Sequence, residues 1–278
     1  MFVPKKWRFK DISGDIVLIT GAGSGLGRQL ALKLASFASH LVLWDINECG
    51  LLETAKLLKK SAAQCSYYMV DVSDSRMVYA TAAKVRNEVG KVTILINNAG
   101  IVCGKRFLEL KDEEIIKTFK VNTFSHYWTC KAFIPEMIAT NKGHIVSVAS
   151  IASYSGLNQL SDYCGSKAAA AKFFESLVLE TKDAGYDGIH FTLVCPYLMS
   201  TGMFAGAESS VFGSLSPETV AERTVESILT NEEFVVMPKI LRLLISIRSL
   251  VSIKAQYMLY RFVGFDNFMS NFNGNRQR

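Results

Sequence analysis

The chain has 278 residues, 49% hydrophobic and 20% charged, so it is long enough for one large buried core and too apolar for disorder. Its six cysteines are scattered without a CxxC pair and its four histidines lack ligand spacing, which argues against a disulfide scaffold and a metal site. The net charge of +6 sits at the ends: residues 1–10 carry four basic residues and no acid, and residues 234–278 carry seven against Asp266 alone. A nucleic-acid binder spreads its charge over a folded face, whereas basic ends mixed with aromatic and aliphatic residues suit an anionic membrane surface.

In chain order, residues 15–20 (DIVLIT) read as a buried strand. A helix over 25–37 follows, with Leu26, Leu30, Leu34 and Phe37 at helical spacing. Next come a strand at 41–45, a helix at 48–60, a strand at 67–71, a helix at 75–89 and a strand at 93–97. Two helices fill 112–140, followed by a strand at 144–150, a long helix at 163–184 and a strand at 190–195. A helix over 217–230 is opened by Ser216 as N-cap and Pro217 in its first turn, and 234–237 is the last strand. Apolar strands alternating with amphipathic helices predict an α/β fold, a doubly wound (Rossmann) parallel sheet with ligands at the carboxyl ends of the strands. The expected organisation is a basic-aromatic segment over 1–13, one dinucleotide-binding domain over 14–238 and an amphipathic extension over 239–278.

The run TGAGSGLG (20–27) joins the first strand to the first helix. Gly21, Gly25 and Gly27 permit a tight turn, and the helix N-terminus offers free N–H groups to a pyrophosphate. Asp45 ends the second strand, where a carboxylate accepts hydrogen bonds from ribose hydroxyls and repels a 2′-phosphate; NAD is therefore favoured over NADP. Asp71 and Val72 are positioned for adenine, and Asn97-Asn98-Ala99-Gly100 closes the fourth strand with small residues that admit a cofactor. Downstream, Tyr163-Cys-Gly-Ser-Lys167 puts a phenol and an ammonium on one helical face. An ammonium there favours the phenolate and makes a general base for a hydroxyl proton. Each signal taken singly has an ordinary reading, as a turn, a helix cap or an exposed pair; their order and spacing make them specific.

Together with Asn122, Ser150 and the stretch from Pro196 to Thr201, these motifs resemble the short-chain dehydrogenase/reductase family over roughly residues 14–240. GDIVLITGAGSGLGRQLAL, LVLWDIN, ILINNAGIV and the Met237-Pro238-Lys239 segment are similar to its membrane-associated subgroup of epidermal retinol dehydrogenases and lipid-droplet hydroxysteroid dehydrogenases. The resemblance implies Tyr163 as catalytic acid/base, with Lys167 lowering its pKa and holding the nicotinamide ribose. It implies Ser150 on the substrate oxygen, ahead of the competing Ser147 and Ser153, and Asn122 holding a water of a proton relay. Cofactor contacts are implied for Gly21, Ser24, Gly25, Leu26, Gly27, Asp45, Ile46, Asp71, Val72, Asn98, Ala99, Gly100, Pro196, Leu198 and Thr201. The glycine usual after Pro196 is Tyr197 here, which reshapes the pocket wall. Subgroup members commonly begin with a hydrophobic anchor, which Phe-Val-Pro-Lys-Lys would follow.

From 234 to 265 there is no acid. Lys239, Arg242, Ser246 and Ser249 share one helical face, and Ile240, Leu241, Leu243, Leu244, Ile247, Leu250 and Val251 cover most of the rest. That pattern predicts a helix lying in a bilayer interface, the alternative being a helix packed on the body or on a second subunit. The loop 199–215 carries Met203, Phe204, Val211 and Phe212, suited to closing over an apolar substrate or to ordinary packing. The expected protein is an NAD-dependent dehydrogenase of a lipophilic alcohol, with retinol to retinal first and a hydroxysteroid second. It is expected at the cytosolic face of the endoplasmic reticulum or a lipid droplet, as a homodimer through the helices near 112–140 and 163–184, without nucleic acid. A surface protein that binds NAD without turnover is the reading of another class, and the intact Asn-Ser-Tyr-Lys set argues against it.

Overall fold

The runs IVLIT, HLVLWD and ILIN are apolar almost throughout, and in the computed structural model they form the middle of a parallel sheet buried on both faces. The structure describes residues 9–207, 213–248, 250–262, 268–269 and 271–273. The strands are β1 (Ile16–Thr20), β2 (His40–Asp45), β3 (Gln64–Met69), β4 (Ile94–Asn97), β5 (Gly143–Val148), β6 (Ile189–Pro196) and β7 (Phe234–Met237). They lie in the order β3-β2-β1-β4-β5-β6-β7, all parallel.

The helices that cover the sheet are α1 (Gly25–Leu34), α2 (Glu48–Leu58), α3 (Ser75–Glu88), α4 (Asp112–Phe119), α5 (Ser125–Thr140), α6 (Ser161–Asp183) and α7 (Pro217–Leu229). Side chains alternate across the strands, so two separate cores form. Val17, Ile19, Leu41, Leu43, Ile94 and Ile96 pack beneath Leu30 and Leu34 of α1 and Val220, Val225 and Ile228 of α7. Leu18, Val42, Trp44 and Leu95 pack beneath Val78 and Val85 of α3, Phe133 and Met137 of α5 and Phe174 of α6. Each fully buried side chain of this size contributes about 1.5–3 kcal/mol.

The chain winds outward from β1 to β3, then restarts at β4 on the other side of β1. The sheet therefore opens a crevice between the carboxyl ends of β1 and β4, where an open α/β sheet takes its ligand. The predicted elements are all present with shifted ends. The first helix stops at Leu34, the third strand starts three residues early at Gln64, and Ser216 caps α7 through Thr219 N–H at 3.1 Å. The two helices expected in 112–140 are α4 and α5, joined without a break by a π-helical turn at Lys120–Phe124. That turn inserts one extra residue, and it contains Asn122.

The extension comprises two helices, α8 (Ile240–Arg248) and α9 (Ile253–Phe262). Its faces differ from the expected ones. Leu241 is buried in the core, and Arg242 stands over the Phe234 ring at 5.4 Å, so part of the predicted polar stripe packs on the body. Ile240, Leu243, Leu244, Ile247, Leu250 and Ile253 are exposed. Ser249, Val211, Phe212 and the first eight residues lie outside the described residues.

Gly27 is the point where α1 meets the turn. A Cβ there would collide with the Gly21 carbonyl and come within 2.7 Å of Asn98 Nδ2. Gly27→Ala is expected to cost about 1–3 kcal/mol in urea unfolding, as overpacking does, and to weaken dinucleotide binding. Gly14→Ala, with nothing near its Cβ, is the control and should stay within about 0.5 kcal/mol.

Candidate active site

The crevice is held open by backbone and side-chain hydrogen bonds between the ends of β1 and β4. Asn98 Nδ2 donates to the Thr20 carbonyl at 2.9 Å, and the Asn98 and Ala99 N–H groups donate to Thr20 Oγ1 at 3.0 and 3.1 Å. Asn97, one residue earlier, turns the other way and accepts from Thr129 Oγ1 at 2.7 Å. Gly21 and Gly25 have φ of 69° and 51°, the left-handed region that glycine enters without strain. Ser24 is the N-cap of α1 but makes no side-chain cap hydrogen bond, and the first turn holds no acid. First-turn N–H groups are thus left facing the crevice, as an anion requires.

Asp45 serves this turn directly. One carboxylate oxygen accepts from Gly23 N–H at 2.8 Å and the other from Asn47 N–H at 2.9 Å. Arg28 is close by, but its guanidinium is engaged by the Gly23 carbonyl at 2.6 Å and Glu53 at 2.7 Å. Ile46 is exposed, while Leu26 and Val72 have their side chains in the cores and present backbone to the crevice rim. Asp71 accepts from Ser73 N–H at 2.8 Å. Thr201 faces Gly25 across the crevice: a methyl on Gly25 would stand 3.6 Å from Thr201 Cγ2. Pro196 ends β6, and Leu198 behind it is buried. These residues form a cradle at the end of β1, with glycines where the chain turns and packs most closely.

Gly100 connects the cradle to the catalytic side. A Cβ there would lie 3.4 Å from Asn122 Oδ1 and 3.5 Å from Lys167 Nζ. Tyr163 and Lys167 are on α6, and both are almost wholly buried. Lys167 Nζ donates to the Val148 carbonyl at 2.8 Å and lies 5.9 Å from the Tyr163 ring centre. Of the three serine candidates, Ser150 is the one whose hydroxyl acts to lower the Tyr163 phenol, and its Oγ accepts from Ala152 N–H at 3.1 Å. Ser147 is paired with His126 Nδ1 at 2.9 Å, and Ser153 Oγ donates to the Lys167 carbonyl at 2.9 Å. Asn122 accepts from Ile101 N–H at 2.8 Å and donates to the Ile101 carbonyl and Ser166 Oγ at 2.9 and 3.0 Å. Its amide has no hydrogen left for a water.

Electrostatics correct one expectation. Burial pushes the Tyr163 phenol above its ordinary value of 10, and the Ser150 hydrogen bond only partly opposes this. Lys167 is fully buried and is itself lowered from 10.5 to about 8, again by desolvation. In the free chain, therefore, the amine does not bring the phenol down.

Two features escaped the sequence reading. His126 is buried and held neutral by desolvation, its pKa lowered to about 3 with the Lys167 charge adding to the effect. Phe204 meets the Tyr163 ring edge-on, with centroids 5.6 Å apart. A regular strand pattern at 143–148 gives no hint that Ser147 pairs across to α5, and Phe204 sits in a loop without periodicity.

The family model for short chain dehydrogenase matches residues 15–211. Human epidermal retinol dehydrogenase 2 is 45% identical over 267 residues, covering 95% of this chain and 86% of that protein. Mouse estradiol 17-beta-dehydrogenase 11 is 41% identical over 251 residues, covering 90% of this chain and 84% of that protein. A Burkholderia phymatum short chain dehydrogenase/reductase solved in complex with NAD superposes with a TM-score of 0.80 at 28% identity, covering 89% of this chain and 96% of that one. An alcohol dehydrogenase from Thermococcus sibiricus complexed with 5-hydroxy-NADP has a TM-score of 0.72 at 26% identity, over 80% and 95% of the two chains. With a dinucleotide cradle leading to a buried tyrosine–lysine pair, the chain belongs to the short-chain dehydrogenase/reductase family. It is an oxidoreductase that interconverts an alcohol and a carbonyl with a nicotinamide cofactor.

Proposed function

We propose that this chain oxidises the hydroxyl of a lipophilic alcohol with NAD, retinol to retinal being the first reading. The observation that carries it is the buried Tyr163–Lys167 pair with Ser150, its tyrosine ring covered edge-on by Phe204. Apolar cover of this kind suits a substrate that is greasy on every side of its hydroxyl. A hydroxysteroid is the second reading, favoured by the 41% identity to estradiol 17-beta-dehydrogenase 11.

The bound dinucleotide supplies the hydride acceptor and, when oxidised, a positive ring. Residues 21–27 hold its pyrophosphate through glycine backbone and the α1 N-terminus, with Ser24, Leu26, Asn98, Ala99 and Thr201 along the rim. Asp45, with Ile46 beside it, meets the adenosine ribose, while Asp71 and Val72 border the adenine. Pro196 and Leu198 border the nicotinamide. Ser150 holds the substrate oxygen, and Tyr163 takes its proton. Lys167 holds the nicotinamide ribose and supplies positive charge beside the phenol. Asn122 keeps the Ile101 backbone and Ser166 in place around them, and a relay water at this residue is held through a carbonyl oxygen, which accepts. NAD is favoured because Asp45 stands at the turn and the nearby Arg28 is already paired with Glu53.

The reading extends to the surface. No helix among the described residues is long and apolar enough to cross a membrane. The exposed Leu243, Leu244, Ile247, Leu250 and Ile253, with Lys239 and Lys254 beside them, suit an anionic interface such as the reticulum or a lipid droplet, from which a lipophilic alcohol is drawn. Ile116, Phe124, Tyr127 and Leu179 are exposed on α4 to α6, consistent with a homodimer through these helices.

Tyr163→Phe is expected to lower turnover by about 10²–10⁴-fold with dinucleotide affinity nearly unchanged, measured by stopped assays and equilibrium titration. Because burial keeps the phenol protonated at neutral pH, kcat/KM for oxidation should rise with pH and that for carbonyl reduction should fall in the alkaline range; an acidic optimum for oxidation would refute the assignment. Wild type should have the higher kcat/KM with NAD, and Asp45→Ala should narrow its ratio to that with NADP. Glutamates at Leu243, Leu244 and Ile247 should abolish flotation with anionic vesicles while dinucleotide binding persists. If that variant still floats like wild type, α8 is not the membrane surface.

A further inference from the structure

The chain returns to the active site after α9. Phe268 and Met269 are buried in the same core cluster as Tyr163, Tyr197 and Leu198, and Phe272 packs on its margin. The Phe268 ring lies 6.4 Å from that of Tyr197, the residue that follows Pro196. Asn273 N–H donates to the Ala205 carbonyl at 3.0 Å, one residue beyond the Phe204 that covers the Tyr163 ring.

Two glycines make room for this contact. Gly104, four residues after Gly100, has φ of 66°, and a Cβ on it would collide with the Phe272 ring. Gly206 has φ of 82°, and a Cβ on it would collide with the Asn271 carbonyl and come within 3.2 Å of Asn273 N. The tail thus touches the loop after β4, the loop after β6 and the residue after Pro196. Of these segments, the loop after β6 covers the Tyr163 ring through Phe204, and the loop after β4 starts at Gly100, beside Lys167 and Asn122.

We propose that Phe268, Met269 and Phe272 form a wall of the substrate site and set its preference for bulky lipophilic alcohols. The inference rests on the dehydrogenase reading for its substrate class, but it concerns a different set of residues. Three large apolar side chains packed there offer an extended molecule a surface that a short alcohol cannot reach. The same tail follows α8 and α9, so the surface that draws substrate from a lipid phase and the wall that recognises it belong to one stretch of chain.

The test uses the full chain with Phe268→Ala/Phe272→Ala, and Phe268→Leu/Phe272→Leu as the conservative pair. Retinol binding to dinucleotide-saturated protein is followed by its fluorescence, with dinucleotide affinity as the folding control and 2-butanol as the short substrate. The alanine pair should weaken retinol binding by about tenfold or more, the leucine pair should restore most of it, and kcat/KM for 2-butanol should stay within about twofold. If the alanine pair loses the dinucleotide, Phe272→Ala alone, at the half-buried position, carries the same test with a smaller loss. Unchanged retinol affinity in a variant that binds the dinucleotide overturns the proposal. So does tighter binding, which would make the tail an obstruction, and so does a wild type that binds neither retinol nor estradiol. If retinol affinity falls but no alcohol is turned over by wild type, the wall stands and the dehydrogenase reading fails. If turnover is intact and the preference for retinol over 2-butanol is unmoved, the reverse holds.

Discussion

Everything at this site depends on the tie between the ends of β1 and β4. Thr20 accepts three hydrogen bonds across the crevice: its carbonyl from the Asn98 side-chain amide, and its hydroxyl from the backbone N–H groups of Asn98 and Ala99. These fix the distance between the glycine turn and the loop that leads to Gly100. Gly27 can then pack against the Gly21 carbonyl, and Gly100 can lie against Lys167 and Asn122. A crevice with unpaired polar ends would lose free energy at each orphaned group and would have no fixed width. The tie turns the reversal in strand order into a cradle of defined shape.

The catalytic side is governed by desolvation more than by pairwise charge. Tyr163 and Lys167 are both buried, and burial drives each toward its neutral form: the phenol up, the amine down to about 8. His126, also buried and near Lys167, is kept neutral for the same reason. At neutral pH the Lys167 ammonium, at about 8, keeps its proton beside a neutral phenol and a neutral His126. A positive ring in that low-dielectric space acts strongly on the phenol, because little water screens it.

The extension after β7 shows how one amphipathic sequence serves two surfaces. Leu241 and Ile245 face the body, Arg242 covers Phe234, and Arg248 reaches the Tyr154 carbonyl and Gln256. The opposite side of the same helix leaves Leu243, Leu244 and Ile247 in the open. Tyr260 accepts a hydrogen bond from Asn158 N–H at 3.0 Å, which ties α9 to the segment between Ser150 and Tyr163. The apolar outer surface is therefore tied by a hydrogen bond to the segment that follows Ser150.

The amino-acid sequence alone determined the strand and helix order, the parallel sheet and the candidate residues that the crevice brings together. The reason is that these rest on local signals: apolar runs, glycines at fixed offsets, and a tyrosine and lysine one helical turn apart. Helix ends such as Leu34, and the π turn around Asn122, were not legible, because they are settled by what the last turn packs against. Three matters belonged to tertiary structure. Ser147 and Ser153 are engaged across elements by His126 and the Lys167 carbonyl, partners that residue spacing does not encode. The direction of the Tyr163 shift in the free chain follows from burial, which residue spacing does not encode. The return of Phe268 and Phe272 to Tyr197 and Gly104 joins residues more than seventy positions apart, and no periodicity within either segment records a contact between them.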